Sequence, residues 1–70
     1  MTVAADQAEL STLRSSLEES TLRVVAVADR YRNTDLSAPA GDLDAAERGL
    51  VSARRALDRA LRTLNEIATP

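Results

Sequence analysis

From Leu10 onward, large apolar residues return every three or four positions: Leu10, Leu13, Leu17, Val24, Val27 and Tyr31, with Ser20 the one polar member of the series. This 3–4–3 rhythm is that of an amphipathic helix carrying a heptad seam. It predicts a helix over about residues 6–32. A second rhythm begins near Asp42. Leu43, Leu50, Leu57 and Leu64 fall seven apart, and Ala46, Ala53, Ala60 and Ile67 each follow three residues later. It predicts a helix over about residues 42–68, with a narrow Leu/Ala seam for the bulkier first helix to fill. The stretch Val24-Val25-Ala26-Val27-Ala28 is β-prone by residue type, but it lies inside the helical period and lacks flanking turn residues.

Residues 33–41 break the pattern. Asn33, Asp35 and Ser37 favour turns because their side chains bond nearby backbone, Pro39 cannot sit deep in a helix, and Gly41 weakens one. Ser37, with Pro39 in the first turn, and Asp42 are the candidate N-caps of the second helix. A connection this short between two long helices implies an antiparallel hairpin. The expected fold is therefore all-α: one helical-hairpin domain over residues 1–70.

Two helices meet along a single line and leave most of each surface wet. Folds of this size usually recruit disulfides, a metal or a partner chain. We expect self-association to complete the hairpin as a four-helix bundle, a two-fold homodimer being the commonest closure. Leu22 and Val25 on the first helix, and Val51 and Leu61 on the second, lie off the seams and widen the apolar surface. They are the candidate apolar partner contacts. The plan is similar to small dimeric RNA-regulator bundles of the Rop type, in fold alone, and no residue motif carries function across. A DNA-binding zipper would need a basic helix leading into the Leu repeat, and residues 36–42 contain no cation.

Composition narrows the chemistry. The chain has no Trp, Phe, His, Cys or Lys. Missing Cys and His removes disulfides, thiol nucleophiles, imidazole bases and the usual zinc sites. Gly41 and Gly49 are the only glycines, so no phosphate-cradling loop can be drawn. Glu18 and Glu19 are adjacent and point about 100° apart on a helix, so they do not converge on a metal or a proton. Tyr31 ends the first seam, where its ring caps the core. No catalytic, metal or cofactor residue is assigned, and no small-molecule substrate is evident. The longest apolar run is five residues, and Met1–Asp6 has neither a basic start nor an apolar core. The expectation is a soluble cytoplasmic protein without a membrane span. The Arg-only, Ala-rich usage suggests a GC-rich bacterial genome.

Formal net charge is −2. Within it, residues 48–62 hold five Arg and one Asp. Arg48, Arg55, Arg59 and Arg62 share one face opposite the Leu seam, and such a stripe can grip phosphates. Against that, Asp44–Arg48 and Asp58–Arg62 have the acid-first i,i+4 spacing of local ion pairs, as does Glu19–Arg23 on the first helix. No aromatic residue interleaves for base stacking. The first expectation is thus a non-enzymatic helical interaction or assembly protein, a homo-oligomer or an accessory subunit docked on a helical partner. The second is a small dimeric nucleic-acid-binding regulator using the Arg stripe.

Overall fold

The computed structural model describes residues 2–68. Residues 1, 69 and 70, which the one-domain expectation includes, lie outside them. The described chain is two helices, α1 (Val3–Tyr31) and α2 (Ala38–Ala68), with no strand among the described residues. They pack side by side as a rod with extents of 57 × 14 × 14 Å.

Helix α1 starts three residues earlier than the periodicity indicates. Thr2 supplies the reason: its hydroxyl accepts from the Ala5 N–H at 3.2 Å, and Asp6 in the first turn meets the positive end of the helix dipole. The helix ends in a type II turn. Arg32 has φ −62° and ψ 134°, Asn33 has φ 64°, and the Thr34 N–H returns to the Tyr31 carbonyl at 3.2 Å. Asn tolerates that left-handed conformation better than other side-chain-bearing residues. Thr34 locks the turn further. Its hydroxyl donates to the Tyr31 carbonyl at 2.6 Å and accepts from the Leu36 N–H at 3.1 Å.

Helix α2 begins at Ala38, four residues before the expected start, directly after Ser37. Pro39 is its second residue, where a missing N–H costs no helical hydrogen bond. The Ser37 carbonyl accepts from the Ala40 N–H at 3.0 Å.

The two helices share their Leu rows, as the heptads imply. Leu10, Leu17 and Val24 on α1 and Leu43, Leu50, Leu57 and Leu64 on α2 are all half-buried. The second row of the seam differs from the expected one on both helices. On α1 it is Gln7, Arg14, Thr21 and Ala28, with Val27 half-buried beside them, while Leu13 and Ser20 stay exposed. On α2 it is Ala40, Glu47, Arg54 and Leu61, with Ala60 half-buried beside them, while Ala46, Ala53 and Ile67 stay exposed. Leu13 stays 47% exposed and Ile67 65%. The helices therefore meet along one edge of each apolar stripe instead of its middle. Among the described residues only Ala28, at 1% exposure, and Ala40, at 6%, are buried. Both sit near the loop, where small residues allow close approach of the helices.

Candidate functional site

The cross-helix bonds show which flanks of the helices lie together. Gln7 Nε2 donates to Asn65 Oδ1 at 2.6 Å, and Arg14 Nη1 donates to Asp58 Oδ1 at 3.2 Å. At the loop end Arg32 grips Asp44 with two bonds, 2.9 and 3.1 Å, and reaches Asp29 at 3.3 Å. These contacts run down one side of the hairpin, its polar side. The hydrogen bond from Arg32 holds the Asp44 carboxyl below the usual carboxylate range, against a smaller opposing effect of desolvation. The same bond, with that to Asp29, raises Arg32 still further above its already high value.

These pairs replace two of the expected local ones. Asp44 bonds Arg32 instead of Arg48, and Asp58 bonds Arg14 instead of Arg62. A bidentate or cross-helix partner was invisible to i,i+4 counting because it depends on the register of the hairpin. Glu19–Arg23 forms as the spacing indicates, at 2.8 Å.

The opposite flanks consequently share the other side. There Leu13 and Val27 of α1 stand beside Ala46, Ala53, Ala60 and Ile67 of α2, floored by the Leu rows. This apolar side is what the residue pattern marks as the seams. These residues are legible in the sequence, but within the hairpin only Val27 and Ala60 of them are half-buried, because periodicity locates the centre of a stripe and not the neighbour it faces.

The four candidate apolar contacts are not brought together. Val25 and Val51 are half-buried on the polar side. Leu61 is half-buried in the seam's second row, and Leu22 is 72% exposed on the outer surface. Tyr31 is exposed beside the loop.

The four arginines of the candidate stripe do line up, next to the polar side. Arg55, Arg59 and Arg62 border an open groove of about 610 Å³ with Arg14, Asp58 and Asn65. Arg48, Arg55 and Arg59 border a second groove of similar volume with Glu47, Val51 and Ser52. None of these four arginines joins an ion pair among the described residues. Arg54 turns inward to the seam, and its Nε is buried without a hydrogen-bond partner. Among the described residues no group of three or more His, Cys, Asp or Glu side chains is placed to hold a metal ion. No described helix is long and apolar enough to cross a membrane.

Comparison of the chain with protein-family models, with curated proteins and with solved structures finds no match. The functional reading rests on the two faces alone.

Proposed function

We propose that this chain is a non-enzymatic helical assembly protein. It acts by presenting the apolar side of its hairpin to another helical pair, as a homo-oligomer or as an accessory subunit of a larger complex. A four-helix bundle is the completed form, and the bacterial cytoplasm is the setting the composition suits. One observation carries the reading: among the described residues, no side chain larger than alanine is buried. A helix pair with that little core must bury its Leu rows against something else to be stable. The contacts are the apolar-side residues, Leu13, Val27, Ala53 and Ile67 with the Leu rows, more than Leu22, Val25, Val51 and Leu61.

Light scattering across a concentration series, with helicity followed by circular dichroism, tests this. The expected result is a helical assembly above the 7.5 kDa monomer, or a weakly helical monomer that gains helix when a partner binds. A stable, fully helical monomer at micromolar concentration would overturn it.

The second reading, a small dimeric nucleic-acid-binding regulator, draws on Arg55 and Arg59, which border both grooves and form no ion pair among the described residues. It predicts binding to duplex RNA or DNA that weakens steeply with salt. The double variant Arg55→Gln/Arg59→Gln should flatten the log–log salt slope by about two for each chain of the dimer that contacts the nucleic acid. An unchanged slope, or no binding at low salt, removes this reading.

A further inference from the structure

We infer that the occupant of the apolar side is a second copy of this chain, related by a two-fold axis along the rod, with both loops at the same end. This inference rests on the assembly reading above and specifies its partner and geometry.

Area is the first support. The chain exposes 5132 Å², whereas a compact monomer of its mass exposes about 4,200 Å². The excess of about 900 Å² is close to the ~800 Å² that each partner contributes to a standard stable interface. One partner of similar footprint would remove it, and a second hairpin has that footprint.

Shape is the second. On the apolar side α1 offers bulk at Leu13 and Val27, with Ser20 between them, while α2 offers Ala46, Ala53 and Ala60, with Ile67 at its far end and Gly49 and Ala56 at its edge. A surface that is half ridge and half trough fits a rotated copy of itself. Gly49 sharpens the point. It lies in the middle of α2, where glycine weakens a helix, and its φ is not positive. A Cβ added there would meet nothing within 4 Å. Nothing inside the hairpin asks for glycine, whereas close approach by a second helix does.

Charge is the third. Along the helices the bonds Gln7–Asn65 and Arg14–Asp58 set a register in which paired residue numbers sum to 72, and Arg32, past the end of α1, reaches four residues beyond that level to Asp44. Rotation about the long axis sets α1 of one copy against α2 of the other and preserves levels. Arg30 then comes level with the second copy's Asp42, and Arg23 with its Gly49. Arg30 and Asp42 are both exposed, and neither is ion-paired within the hairpin among the described residues. The two-fold makes the Arg30–Asp42 contact twice. With the loops at opposite ends, each helix would instead lie on its own copy, ridge on ridge and trough on trough, leaving two unequal gaps. Size matching therefore selects the same-end arrangement.

The chain has no Cys, so a single loop cysteine gives one clean label per copy. Asp35→Cys, spin-labelled and measured by double electron–electron resonance, reads the arrangement directly. Loops at one end should give a distance under about 30 Å, since each hairpin is 14 Å across and packed helices lie ~8–10 Å apart. A distance near the 57 Å rod length would overturn the same-end geometry while leaving self-association standing. Separately, Arg30→Glu should weaken the dimer about tenfold, and Arg30→Glu/Asp42→Arg should restore it. Failure of the double swap to rescue would also count against this geometry. A labelled chain that stays a poorly helical monomer would overturn the second copy as occupant and leave the assembly reading with a different protein. A stable helical monomer would end both.

Discussion

The two sides of this hairpin are built from the same two helices and end in opposite states. On the polar side the chain answers its own needs: Gln7 bonds Asn65, Arg14 bonds Asp58, and Arg32 grips Asp44 with a bidentate fork. On the apolar side Leu13 and Ile67 stand about half or more exposed above Leu rows that are only half covered. Polar groups can be satisfied pairwise by one neighbour of the right sign and reach. Apolar area needs surrounding on several sides, and two cylinders cannot surround each other. A two-helix chain can therefore pair many of its polar groups alone, the buried Arg54 Nε excepted, but cannot cover its apolar area.

The sharpest way to break this contrast is to cut into the Leu rows. Leu57→Ala should cost about 2–5 kcal/mol by urea denaturation if assembly buries the side chain fully. A cost below about 1 kcal/mol would mean that Leu57 remains half-exposed in solution and the apolar side stays open. Gly49→Ala asks the same question with the opposite sign. In an isolated hairpin it should raise stability by about 1 kcal/mol, because alanine favours the helix. In the assembly the gain should disappear and the dimer should dissociate at higher concentration, as measured by sedimentation.

Acid titration sharpens the polar half. Because Asp44 has a depressed carboxyl pKa when folded, its contribution to stability is fully present above the unfolded value of about 3.9. It is lost as pH falls through the lower folded value. Wild-type melting temperature should drop across that acid range by more than that of Asp44→Asn, which lacks the titrating group. Equal drops would mean that the Arg32 fork adds nothing. The smallest effect is expected at Leu22, far from both faces. Leu22→Gln should change stability by no more than about 0.5 kcal/mol and leave the molar mass unaltered. A dissociated or destabilised Leu22→Gln would relocate the partner surface to the outer face of α1.

Much of the fold could be read from residue types and spacing. The heptad returns of Leu and Val gave both helices, and Asn33 through Gly41 gave the turn between them. Helix ends were misplaced by three and four residues because capping by Thr2 and a tolerated Pro39 extend each helix beyond its apolar period. The Arg stripe was legible too, since it depends on one helix only. The ion pairs of Asp44 and Asp58 were not, because local spacing offered Arg48 and Arg62 while the folded register offered Arg32 and Arg14.

The sequence alone therefore determined each helix, its apolar stripe and its charged face, all properties of a single periodic element. Only the tertiary structure decided how the stripes are shared. The hairpin turns Gln7, Arg14, Thr21 and Ala28 toward α2, and leaves Val27 half-buried at the margin and Leu13 exposed. The physical reason is that periodicity fixes the direction of a stripe relative to its own axis. The rotation of one helix against another is set by register, small residues near the turn, and charge pairs across the gap, none of which has a period to read.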